Sequence, residues 1–156
     1  MSEYIGVLST KDGCGACVFF KGNTWPGLRA KIEAQGKIPL EEVNFPLPAG
    51  KLVPAALLKN NIGWFPSFAV FKKKDWQVAL QNPDFHLRGI IFNAKREQNG
   101  KIVAERDGLK MDEENVLRWL RNIMTEPDTQ YEYIVQAPTD HCSGGGLRSR
   151  SYQYGS

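Results

Sequence analysis

Two cysteines, Cys14 and Cys17, bracket Gly15-Ala16 at the point where one kind of local pattern gives way to another. Upstream, Tyr4 to Leu8 is a short apolar run that ends in the polar stretch Ser9 to Asp12, the signature of a buried strand running into a loop. Downstream, Cys17-Val18-Phe19-Phe20 reads as the first turns of a helix packed on a sheet. A thiol at the start of that helix faces unpaired backbone N–H groups and the positive end of the helix dipole, both of which favour thiolate over thiol. A second thiol one turn later is close enough to attack a disulfide formed at the first. Cys14 is therefore the candidate nucleophile and Cys17 the candidate resolving thiol.

Other uses of cysteine fit less well. Three cysteines in 156 residues are too few for a secreted disulfide scaffold, and paired thiols in a reducing compartment point to metal or redox chemistry. A closed zinc site wants four ligands, usually with a second paired motif at a distance. Here the one available second pair is His141-Cys142, whose adjacent side chains are poorly placed to share an ion, so no metal or other cofactor is expected. His86, between Phe85 and Leu87, reads as a loop histidine rather than a general base.

The start, Met1-Ser2-Glu3-Tyr4, has no basic region leading into a long apolar run, and no stretch approaches the ~20 apolar residues that span a bilayer. The expectation is a cytoplasmic protein with no membrane insertion. The formal charge, 20 − 17 = +3, makes no basic platform of the size nucleic acid would need.

Along the chain, Thr24 is placed to cap a second helix from Trp25 to Gln35, with Pro26 and Gly27 breaking it from the first and Gly36 as its stop. Glu42 to Phe45 reads as a strand closed by Pro46 and Pro48, and Val53 to Lys59 as a short helix opening near Pro54. Ser67 to Phe71 is the strongest strand pattern. Ile90 to Ala94 and Ile102 to Arg106 flank Asn99-Gly100, a hairpin signal because type I′ turns need positive φ at both central positions. Asp112 caps a last helix whose apolar stripe is Val116, Leu117, Leu120, Ile123 and Met124. This order predicts an α/β fold, a mixed sheet with helices on both faces.

Trp64-Phe65-Pro66-Ser67-Phe68 adds a proline directly before the strongest strand, a place that suits a cis X–Pro bond. With Cys14-Gly15-Ala16-Cys17 it makes the chain resemble the thioredoxin and glutaredoxin superfamily over about residues 4–124, the two motifs being 66 − 14 = 52 residues apart. The resemblance implies a thioredoxin-like mixed β-sheet, thiol–disulfide exchange on protein substrates, and a substrate strand held by Pro66 and the backbone of Phe65. It also implies one domain over 1–124, from which this chain departs by an insertion at about 72–89 and by the β-hairpin read at 90–106. Leu8 stands where thioredoxins carry a buried carboxylate. Lys72-Lys73-Lys74-Asp75 replaces the glycine pair with which glutaredoxins hold glutathione, which argues against glutathione as partner. The lysine run otherwise reads as a device that keeps an edge strand solvated.

Residues 125–156 differ in kind. Pro127, Pro138, Gly144-Gly145-Gly146 and interspersed Arg148, Arg150, Tyr152 and Tyr154 offer little apolar surface to fold on, with Tyr131 to Val135 as one added strand at most. They form an extended C-terminal arm suited to a protein partner rather than to RNA. Cys142 in that arm is a candidate third redox partner for Cys14. Two readings follow: an oxidoreductase, or a non-catalytic structural subunit of a large assembly, such as a virus particle, anchored by its arm. Trp25, Trp64 and Phe65 are candidates for a peptide groove beside the thiols, or for core.

Overall fold

The structure is a computed structural model that describes residues 3–58, 64–96, 102–105, 108–125 and 132–133. In chain order it contains β1 (Tyr4–Lys11), α1 (Gly15–Asn23), α2 (Trp25–Gln35), β2 (Leu40–Phe45), α3 (Ala55–Leu58), β3 (Ser67–Lys72) and α4 (Lys73–Gln81). There follow β4 (Arg88–Ile91), β5 (Ala94–Arg96), β6 (Ile102–Ala104), α5 (Glu113–Thr125) and β7 (Glu132–Tyr133).

The main sheet has the order β2-β1-β3-β4-β7. Its β1–β2 pair is parallel and every other pair is antiparallel. Parallel neighbours cannot be joined by a tight turn, and α1 with α2 supplies the crossover between them. Alternation along the central strands sorts the core into two layers. Ile5 and Val7 on β1, with Ala69 and Phe71 on β3, pack against Leu57 of α3 and Trp76 and Ala79 of α4. On the other face, Leu8, Phe68 and Val70 meet Phe20 of α1, the α2 residues Trp25, Leu28 and Ile32, and Val116, Leu120 and Ile123 of α5. The architecture is thus a mixed α/β sheet flanked by helices.

Helix ends follow local chemistry. The Asp112 carboxylate accepts the Asn115 N–H at 2.9 Å, the cap its position predicts. Gly36 ends α2 at φ 64°, in the left-handed region. Thr24 does not cap α2 with its side chain. Its N–H instead donates to the Phe20 carbonyl and its carbonyl accepts from Leu28, so the backbone runs almost unbroken from α1 into α2. Pro26 is tolerated because the first turn of a helix has no use for its missing N–H.

The stretch read as an insertion at about 72–89 contains a helix, Lys73–Gln81, held by Trp76, whose ring lies 5.4 Å from that of Phe71. Two expectations are corrected. The lysine run does not guard an edge: β3 is paired on both sides, by β1 and β4, and Lys73 and Lys74 open α4. The hairpin also begins later than its pattern suggests. β4 belongs to the main sheet, and after a turn at Asn93, with φ 61°, it is Ala94–Arg96 that pairs with Ile102–Ala104. The turn Asn99-Gly100 lies outside the described residues, as does the arm from 134 to 156 with His141 and Cys142. Of the strand expected over 131–135, Glu132–Tyr133 is described, pairing with β4.

Candidate functional site

β1 runs three residues beyond its apolar core, to Lys11, and the chain then turns through Asp12 and Gly13 into Cys14. Gly13 has φ 76°, a conformation side chains disfavour, and so fits the turn that delivers Cys14 to the helix start. Cys14 is the N-cap residue of α1, in extended conformation. Its carbonyl accepts the Val18 N–H at 3.1 Å, and its sulfur accepts the Cys17 N–H at 3.3 Å. A cysteine here does what Ser or Asp does at an ordinary cap, and takes up an otherwise unused helix N–H.

The second wall of the site comes from the start of β3. Register places Ser67 opposite Ser9, so the residues just before β3 arrive beside the end of β1. The Phe65–Pro66 peptide bond is cis. The Phe65 carbonyl oxygen lies 3.8 Å from the Cys14 sulfur. Cys14, Cys17 and Phe65 form a small apolar cluster, with Ala16 and Phe45 packed against it. Phe45 meets Phe65 edge-on with ring centroids 5.8 Å apart, and the Lys11 ammonium sits 5.8 Å from the Phe65 ring centre, at cation–π range.

The two sulfurs are buried, Cys14 at 0% and Cys17 at 2% exposure, and they are not bonded to one another. Cys14 is disulfide-bonded, whereas Cys17 is a free thiol. Burial pushes the Cys17 thiol above its ordinary titration range. A hydrogen bond with the Lys11 backbone and the charges of Lys11 and Lys21 pull back against that shift without cancelling it. Immediately beyond Cys17, Val18 and Phe19 are 72% and 65% exposed, a pair of apolar side chains on the outer face of the helix that carries both cysteines.

Below the motif, the hydroxyls of Ser9 and Ser67 are buried with no hydrogen-bond partner, and the two residues stand opposite each other across β1 and β3. Among the described residues no group of three or more His, Cys, Asp or Glu comes together that could hold a metal, and no helix is long and apolar enough to cross a membrane.

Cys14, Cys17, Phe65 and Pro66, read from the sequence as site residues, lie together at one end of the sheet. Trp25 and Trp64 do not join them: each is buried, and they belong to the cores on opposite faces of the sheet. His86 lies exposed between α4 and β4. Sequence reading missed Lys11 and Phe45. A signal for Phe45 existed, since Phe-Pro occurs at both 45–46 and 65–66, and both bonds are cis. Lys11 was hidden because Ser9 to Asp12 looks like loop, although Ser9 and Thr10 are buried strand residues.

Comparison of the chain with protein-family models, with curated proteins and with solved structures finds no match.

Proposed function

We propose that the chain is a thioredoxin-like thiol–disulfide oxidoreductase that acts on protein substrates through Cys14 and Cys17. The observation that carries this reading is the setting of the Cys14 sulfur. It sits at a helix N-cap, takes the Cys17 N–H at 3.3 Å, and lies 3.8 Å from the carbonyl of Phe65, which precedes the cis-bonded Pro66. In the reaction, the Cys14 thiolate attacks one sulfur of a substrate disulfide and expels the other as thiolate. Cys17 loses its proton and attacks the Cys14 sulfur of the mixed disulfide, which releases the second substrate thiol. Two electrons have then moved from the Cys14–Cys17 pair to the substrate, and an external dithiol restores the pair. No cofactor is needed. The backbone of Phe65 and the face of Pro66 hold an extended substrate strand. Exposed Val18 and Phe19 favour a protein over a small thiol, because they offer apolar contact on the helix whose N-cap is Cys14. Insulin reduction tests the reading. The reduced chain should precipitate insulin B chain in the presence of dithiothreitol, and Cys14→Ser should fall to the background rate.

A second reading is a structural subunit with an idle motif, anchored in a larger assembly by residues 125–156. What favours it is the complete burial of Cys14, which leaves its sulfur out of reach of a substrate disulfide in this conformation. Removing residues 125–156 should then abolish incorporation into the assembly while urea unfolding of the remaining domain stays cooperative.

A further inference from the structure

A hydrogen-bonded chain of side chains outside the apolar cluster ends on the turn that delivers Cys14. The Thr10 hydroxyl donates to the Asn44 amide oxygen at 2.8 Å, and the Asn44 amide nitrogen donates to the Asp12 carboxylate at 2.9 Å. Chemistry fixes the direction of these links, since a carboxylate can only accept and so faces the N–H end of the amide. Thr10 is buried, and register sets it opposite Asn44 across β1 and β2. The Asp12 N–H also donates to the Phe45 carbonyl at 2.8 Å, so the end of β2 holds both the backbone and the side chain of Asp12.

From this arrangement we propose that Asn44 is a positioning residue for Cys14: it ties the Asp12 carboxylate to the β2 side of β1 and keeps its negative charge off the attacking sulfur. This role rests on the reading of Cys14 as nucleophile.

Strand order gives the two groups opposite directions. β1 lies between β2 and β3. The Cys14 sulfur lies 3.8 Å from the Phe65 carbonyl, at the entry to β3, whereas the Asp12 carboxylate is bound on the β2 side. Without that bond little keeps them apart. Two residues span at most about 7 Å between Cα atoms, and the intervening Gly13 has open space where a side chain would start. A carboxylate swung across that gap would oppose ionisation of the sulfur, because a like charge nearby disfavours the charged form. The cations around the motif act the other way. Lys11 of β1 and Lys21 of α1 both favour a thiolate at Cys17, and Phe65 and Pro66 bring no charge from the β3 side. The Glu42 carboxylate of β2 is engaged by Arg29 and, at 3.9 Å, by Lys21. Asn44 does for Asp12 what those cations do for Glu42.

The test reads iodoacetamide alkylation of Cys14 against pH at low salt, in full chains carrying Cys17→Ser and Cys142→Ser so that Cys14 is the one thiol. Asn44→Ala should move the midpoint upward and, below it, slow alkylation about two- to threefold. The effect should shrink in about 1 M salt. It should vanish when Asn44→Ala is made beside Asp12→Asn, because no charge is then left to release. Thr10→Val loosens the amide without removing it. It should act more weakly in the same direction, and it carries the test if Asn44→Ala does not fold. An Asn44→Ala profile that superposes on its parent overturns the proposal. So does a shift that persists beside Asp12→Asn, which would mark a change of shape rather than of charge. Insulin reduction by chains that keep all three cysteines separates the two proposals. A shift without turnover removes the oxidoreductase reading and keeps the clamp; turnover without a shift does the reverse.

Discussion

The backbone N–H of Cys17 donates to the sulfur of Cys14 at 3.3 Å, while the Cys17 side chain remains a buried thiol outside any disulfide. One residue thus serves the site twice. Its amide supports charge on the neighbouring sulfur, as a helix N-terminus does for any anion, and its own sulfur waits one turn inside the apolar cluster. The separation of those roles sets what substitutions at 17 should do. Cys17→Ser keeps the amide and removes the second thiol, so it should stop resolution while leaving attack by Cys14 intact. Its product with a disulfide substrate should be a persistent mixed disulfide, read as an added mass on intact protein.

The Cys17 thiol also makes stability depend on pH. Burial raises its folded titration point above the unfolded one, so above pH ~8.5 the native state holds a proton the unfolded chain has lost. Its contribution is therefore complete below the ordinary thiol range and is lost as pH rises through the folded value. Urea midpoints of reduced chain should fall from pH 8 to pH 10 more steeply than those of Cys17→Ala. Equal slopes would show that the Cys17 proton is not linked to folding.

Gly89 has no room for a side chain. A Cβ there would lie 2.6 Å from two ring atoms of Phe71 and 3.0 Å from the Val70 carbonyl, directly across the β3–β4 pair. Gly89→Ala should therefore destabilise by about 1–3 kcal/mol, as overpacking of a close-packed core does. Urea unfolding gives the value, and an unchanged midpoint would mean that the Phe71 ring yields without cost.

Ser67 should behave in the opposite way. Its hydroxyl is buried without a partner, so Ser67→Ala removes a polar group that gains nothing from folding. The expected change is between neutral and a stabilisation of about 1 kcal/mol. A loss of stability in the same unfolding assay would show that the hydroxyl is bonded after all.

At the start of α5, Asp112→Ala removes the acceptor for the Asn115 N–H and should cost about 1 kcal/mol, whereas Asp112→Asn should retain most of it. The pair of variants separates the cap bond from the charge.

Much of this arrangement was legible in the sequence because it depends on local signals. The strand before Cys14, the strand after Pro66, the glycine stop at Gly36 and the stripe of α5 each follow from periodicity or from a residue with a special backbone preference. What was hidden depends on tertiary context. In α4, Lys73, Lys74 and Gln77 dilute a stripe of which Trp76 and Ala79 are the buried members, and packing on Phe71 rather than propensity holds it. β1 extends through Ser9 and Thr10 because β2 pairs with both and β3 pairs with Ser9, which no local composition reveals. At the site, Cys14, Cys17 and Pro66 stand out by residue type. Phe45 and Lys11 do not, since they matter through where the sheet register puts them. The disulfide state of Cys14 could not be read from spacing, which favours Cys17 as its partner.

The central claim is that Cys14 is the attacking sulfur, and one experiment addresses it most directly. A chain carrying Cys17→Ser and Cys142→Ser leaves Cys14 as its one thiol, and it can be incubated with an excess of a protein disulfide substrate such as insulin. The account predicts a stable one-to-one mixed disulfide through Cys14, seen as a covalent adduct on a non-reducing gel and removed by dithiothreitol. An unreacted chain under those conditions, with Cys14 still open to alkylation once unfolded, would contradict it.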